Sequence, residues 1–272
     1  MKSSIIDSIK SLPPLSKTIA DVNAVFANEA SGIADLAKAI EADPMIVANL
    51  LKAANSPLYG FSKEISNAAQ AVSLFGMSMT RSIVIGNSVK KLLNVDMQPY
   101  GITSEKFAEI SSLQAVLILK WYKSIDVKKA DKLYLAAFLQ ETGKILISSD
   151  IIQEEETTSF SSEIDTSNNL AMVEKSYVDV TSADVTAAVF EHWEFDRDFI
   201  NMIKYSDNPE PAPAELKEYA TALNIVKSII PMNKPLSEVS INIGLKKARD
   251  AGYNYEVLED AVDEILDILN IL

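Results

Sequence analysis

Nucleophilic or metal-dependent chemistry in this chain would have to pass through very few side chains. Of 272 residues none is cysteine, and His192 is the single histidine. Those two counts exclude a disulfide framework, a thiolate nucleophile, a cysteine-ligated zinc and any multi-histidine metal site. A Ser-His-Asp triad would need His192 itself, which lies in FEHWEF without a motif partner. It reads as a partly exposed helix residue beside Trp193, whose indole is expected in the core. Gly143-Lys144 has the look of the end of a phosphate loop, but Phe138 stands where the first glycine belongs and Ile145 replaces the magnesium-binding Ser or Thr. Neither G-x-S-x-G nor G-x-G-x-x-G occurs. Carboxylates are plentiful, yet there is no EF-hand loop and most fall at helix-surface spacing, so a solvated face is expected for them.

The charge balance narrows the partners. Lys+Arg of 25 against Asp+Glu of 38 gives −13, with a pI of about 4.6. Generic attraction to phosphate backbones is disfavoured, and Arg81, Lys90 and Lys91 are too sparse to argue for RNA. No apolar run approaches the roughly 18–20 residues of a membrane span, and MKSSIIDSIKSLPPL lacks a signal-peptide hydrophobic segment. A cytoplasmic chain with neither nucleic-acid nor membrane partners is expected.

Helices must do the positioning. Eight glycines in 272 residues leave little room for hairpins, and apolar spacing is helical nearly everywhere. A segment around 17–28 follows Pro13-Pro14, and Ser31 is the expected N-cap of a helix carrying Ile33, Leu36, Ala37 and Ile40. Asp43-Pro44 predicts a helix start, and Asn55-Ser56-Pro57 its end. Ser66 opens a helix that Gly76 closes; Ser78 or Thr80 begins another with Ile83, Val84 and Leu92. A boundary falls in DMQPYGIT, dividing helical subdomains at 1–98 and 99–272. Long helices are expected at 104–122, from 128 through Gly143 to Ile147, at 184–193 and at 215–230. Residues 153–169 read as an acidic, Ser/Thr-rich surface excursion, helical in part. In the last eighteen residues Leu258, Val262, Ile265, Leu269 and Leu272 form an apolar stripe opposite an acidic face. That stripe is expected to cover the helix's own domain rather than a dimer or partner groove, and the anionic face disfavours a membrane surface. The fold class is all-α.

The ordered segments then resemble one family. ADPMIVANLLKAANSPLYGFSKEISNAAQAVSLFGMS is similar to the N-terminal signature of the HDOD (HD-related output domain) family. Its marks are Asp43-Pro44, Asn55-Ser56, Tyr59-Gly60 and the closing Gly76. FLQETGKILI, with Gly143, resembles the family's degenerate form of the HD-phosphohydrolase motif. VEKSYVDVTSADVTAAVFEHWEFDRDFI, with Trp193, resembles its closing element. The resemblance covers about residues 11–230 and implies an HD-domain-like helical bundle behind an N-terminal helical subdomain.

It also implies where a metal site would be. Motif by motif, the first HD histidine falls at Ser111, the His-Asp pair at Gln140-Glu141, the last aspartate near Asn224, and a further family histidine at Asp184. Only Glu141 keeps a good metal-ligating group, since a hydroxyl and two carboxamides are weak, neutral donors. The resemblance therefore implies no cofactor, no metal and no catalysis. What it suggests is a stand-alone bacterial signal-transduction module that acts by contact with another protein or a second copy of itself. Two alternatives are a second-messenger nucleotide sensor using Gln140 and Asn224, and a residual phosphohydrolase using Glu141 and Asp184.

Overall fold

A computed structural model describes residues 1–61, 63–93 and 96–271, without the side chains of 90–92 and 271. Leu92, Lys90, Lys91 and Leu272 of the sequence expectations thus lie outside the described side chains. Among the described residues there is no β-strand. The helices are α1 (Ser3–Lys10), α2 (Lys17–Ala27), α3 (Ile33–Glu41), α4 (Pro44–Ala54), α5 (Ala68–Leu92), α6 (Ser104–Lys123), α7 (Val127–Leu139) and α8 (Gly143–Gln153). They continue with α9 (Thr157–Thr166), α10 (Leu170–Val178), α11 (Ser182–His192), α12 (Arg197–Lys204), α13 (Ala214–Ile229), α14 (Glu238–Asp250) and α15 (Tyr255–Ile271). Two units emerge: Pro13–Leu93, and Met1–Leu12 with Asn94–Leu272. Helix α1 therefore belongs with the later residues.

The Pro13–Leu93 unit is built from short-range devices around an aliphatic core of Ile19, Val22, Leu36, Ile40 and Leu50. Asp43 caps α4, accepting from Met45 N at 2.9 Å and Ile46 N at 3.3 Å. Pro44 takes the first helical position, where no amide donor is needed. Asn55 then pins the following loop: its Nδ2 donates to Leu51 O and Ile65 O, and its Oδ1 accepts from Ile65 N at 2.8 Å. Ser56 Oγ accepts from Leu58 N at 3.4 Å, Gly60 closes the turn at φ 67°, and the Tyr59 ring meets Phe75 edge-on at 5.0 Å.

Gly76 sits at φ 76° and ψ 170°, a conformation closed to side chains with a Cβ, and breaks α5 into two helical halves. The Ala68–Val89 stretch is long and apolar enough to cross a membrane, but this break interrupts it and over half of it is buried. Two caps differ from expectation. Gly32, not Ser31, precedes α3, because Asp35 reaches back to the Gly32 amide at 2.9 Å. Asn67, not Ser66, caps α5 through Gln70 N at 2.9 Å.

In the other unit α6 and α7 pair along their lengths, and α8, α11, α12 and α13 complete the bundle. The expected helix through Gly143 is two helices, α7 and α8, separated by a turn at Gln140-Glu141-Thr142. Thr142 Oγ1 bonds back to Leu139 O at 2.6 Å and ends α7. The Ser/Thr-rich excursion contains α9, which buries Phe160 and Ile164, the former edge-on to Tyr100 at 5.2 Å. Helix α14, without a sequence counterpart, packs on α13: Gly244 lets Ile229 approach where a Cβ would meet it at 2.1 Å. Helix α15 covers its own unit as expected, burying Leu258, Val262 and Ile265 against α6 and α14, with Lys120 paired to Glu264 at 2.6 Å. Trp193 is buried against Phe190; exposed His192 sits 3.3 Å from Leu12 O.

Candidate functional site

The Gln140-Glu141 turn is held in place by a missing side chain. A Cβ on Gly143 would lie 2.3 Å from Ser182 O and 2.7 Å from Thr186 N, so glycine alone lets α8 abut α11 this closely. The Gly143 amide uses that proximity to donate to Thr186 Oγ1 at 2.8 Å. Gln140 and Glu141 are thereby fixed in the interior, both essentially without solvent contact.

Helix α6 meets this turn through Gln114. Its Nε2 donates to Glu141 Oε1 at 3.0 Å and to Ile230 O at 2.8 Å, while its Oε1 accepts from Gln140 Nε2 at 2.8 Å. Ser111, one turn earlier, gives its hydroxyl to Phe107 O at 2.9 Å and so bonds its own helix. Among the described residues the remaining Glu141 oxygen, Oε2, accepts no hydrogen bond; Lys144 Nζ lies 3.3 Å away and Lys227 Nζ 3.9 Å.

Lys144 is the centre of the arrangement. Its side chain is 3% exposed, and its ammonium bonds Glu174 Oε1, donates to Ser182 Oγ at 3.0 Å and lies 5.3 Å from the Tyr100 ring centroid. Glu174 is fully enclosed, accepting also from Tyr100 OH at 3.1 Å and from Ser182 N at 2.7 Å. Burial by itself would lower the Lys144 pKa. The charges of Glu141, Glu174 and Asp207 outweigh it and raise its pKa, so the group stays an ammonium. Burial likewise raises the Tyr100 pKa, reinforced by Glu174, and the phenol remains a neutral donor.

A second pair flanks the first. Lys227 of α13 bonds Asp207 Oδ1, and Ala183 N donates to Asp207 Oδ2 at 3.2 Å. Burial pushes the Asp207 carboxyl up, but Lys227 and Lys144 overcome this and hold it at about 2. Asn224 donates to Ser206 O at 2.6 Å and accepts from Lys247 Nζ at 2.8 Å. These groups floor a cleft of about 240 Å³, whose rim carries Lys234, Lys247 and the start of α10.

Of the five HD positions, then, Gln140 and Glu141 meet through Gln114, and Asn224 stands on the cleft wall with Glu141. Ser111 faces its own backbone. Asp184 is elsewhere, closing a capping box at the start of α11 with Thr181 N at 3.1 Å. Sequence reasoning missed Gln114, Lys144, Glu174, Asp207 and Lys227. The available signal was a lysine inside the apolar run Gly143–Ile147 and a glutamate beside the apolar Val173, both costly to bury unless paired.

This donor set does not fit a divalent ion. The carboxamides bond each other, Asp184 serves a cap, and Glu141 faces two ammonium groups that would repel an added cation. Lys144 already supplies positive charge between Glu141 and Glu174.

The HDOD domain family model matches residues 12–209. An uncharacterized protein of Treponema pallidum is 25% identical over 232 residues, 80% of this chain; the chain spans 42% of that protein's length. A virulence factor of Campylobacter jejuni superposes with TM-score 0.57 at 26% identity, covering 95% of this chain and 93% of its own. An HDOD domain protein of unknown function from Geobacter sulfurreducens gives 0.69 at 15% identity, covering 97% and 93%. A Marinobacter aquaeolei protein, provisionally called a signal transduction protein, gives 0.73 at 19%, covering all of this chain and 61% of its own. The signature residues, the all-helical bundle and a match over nearly three-quarters of its length agree: this chain belongs to the HDOD domain family.

Proposed function

We propose that this protein is a non-catalytic signal-transduction module of the bacterial cytoplasm. In this reading its HD-like site is a binding and structural centre, and its output is contact with another protein. The observation that carries it is Lys144, whose buried ammonium lies between Glu141 and Glu174 beside the HD positions. A phosphohydrolase needs a metal there to polarise phosphate and activate water. A lysine cannot generate a metal-bound hydroxide, and moving it aside would leave an uncompensated charge inside the protein. Family membership and the provisional name of the Marinobacter protein support the signalling role.

The test is elemental analysis after incubation with manganese and dialysis, alongside hydrolysis of cyclic dinucleotides. No retained metal and no phosphate-ester cleavage are expected. Stoichiometric metal with turnover that Glu141→Gln abolishes would overturn the reading.

A further inference from the structure

The cleft over the buried charges has the opposite electrostatic character from the rest of the chain. The protein carries −13 overall, yet four lysines and two carboxylates line this cleft. At depth the ammonium groups of Lys144 and Lys227 are shared among three carboxylates, Glu141 and Asp207 in the cleft and Glu174 behind it. Lys144 and Lys227 face Glu141, and Lys227 bonds Asp207. Glu174, behind the wall, is held by Lys144, Tyr100 and Ser182.

The rim is different. Lys247 bonds neutral acceptors, Asn224 Oδ1 at 2.8 Å and Ser228 Oγ at 2.9 Å, and forms no ion pair among the described residues, although Asp207 acts on it through space. Lys234, on the loop between α13 and α14, forms no ion pair among the described residues. A separate element adds to this positive rim. Leu170 and Ala171, the first residues of α10, line the same cleft. Amides at a helix start have no acceptor within their own helix, and the helix dipole is positive there. Asn169 Oδ1 caps the Met172 amide at 3.3 Å, leaving Leu170 and Ala171 to present theirs. Lysine ammonium groups converging with a helix N-terminus are a phosphate-binding arrangement. The Asn168 side chain, also lining the cleft, can hydrogen-bond a neutral part of the same molecule.

We infer that this cleft binds a small phosphate-bearing anion, held at the rim by Lys234, Lys247 and the N-terminus of α10. The inference deepens the non-catalytic reading by giving the site a ligand class, and the ligand is bound without being cleaved.

Calorimetry on the full chain, at low salt with EDTA present, tests it with two probes, inorganic pyrophosphate and ADP. Saturable binding is expected. Lys234→Gln/Lys247→Gln should weaken it about tenfold or more, by loss of two charge-assisted contacts. That variant should melt like the parent, since neither lysine supports the buried pairs. Lys128→Gln/Lys132→Gln, altering two exposed lysines of α7 away from the cleft, should bind as the parent does. Equal affinities for the probes identify a site reading phosphate alone; tighter ADP binding identifies a nucleotide site. No saturable heat with either probe, or unchanged affinity in Lys234→Gln/Lys247→Gln, would overturn the inference. With metal chelated, these results do not depend on hydrolysis, so failure here is distinct from failure of the non-catalytic reading.

Discussion

The Pro13–Leu93 unit and the unit holding the cleft are made of similar helices but held by different physics. In the first, most of the polar residues that matter act within about ten positions of themselves, the exception being Arg81, which reaches Asn23 at 2.8 Å. Asp43 caps the helix it precedes, Asn55 bonds Leu51 and Ile65, and Gly76 turns the chain where it stands. In the second they act across the fold: Lys144 with Glu174, Gln114 with Glu141 and Ile230, Lys227 with Asp207. Local devices can be altered one at a time. A buried charge network is coupled, because each member is tolerable only while its partners are present.

The largest effect should come from breaking that coupling. Lys144→Met leaves Glu141 and Glu174 facing each other without their shared cation, and should cost about 3–5 kcal/mol in urea unfolding. Adding Glu141→Gln and Glu174→Gln should restore much of it; equal stability of Lys144→Met and the parent would erase the contrast between the units. Gly143→Ala forces a Cβ into the Ser182 carbonyl, where the facing backbone cannot swing away. About 3 kcal/mol is expected, read in the same way.

Acid should act on the same network at a somewhat smaller scale. The Asp207 carboxyl is held at about 2, below its ordinary 3.8. A depressed carboxyl contributes stability that is fully present above the ordinary pKa and is lost as pH falls from about 4 towards 2. The amount is on the order of 2 kcal/mol. A melting-temperature profile should therefore steepen in that window, and Asp207→Asn should flatten it while lowering stability near neutrality. The smallest change belongs to the local unit. Asp43→Ala removes one cap and should cost about 1 kcal/mol. A cost there as large as that of Lys144→Met would contradict the distinction.

What was legible follows the same division. Asp43-Pro44, Asn55-Ser56 and Gly76 could be read in order along the chain because each works on neighbouring backbone. Gly143 was visible as a motif glycine, but its reason, the Ser182 carbonyl of another helix, was not. The sequence pointed to Ser111 on α6, whereas Gln114, one turn on, makes the contacts, since helix phase against a partner is set by packing. Asp184 looked like a site carboxylate and is a capping residue, a use settled by where α11 begins.

The helical class and the family were readable along the chain, since composition, local capping and motif residues are properties of single positions or near neighbours. It took packing between helices to stand Lys144 beside Glu174 and Tyr100, and to gather lysines around the cleft of a chain of charge −13. Charge meets charge there across as many as 86 residues of sequence, Lys227 facing Glu141. Coulombic energy depends on distance in space, which only folding sets.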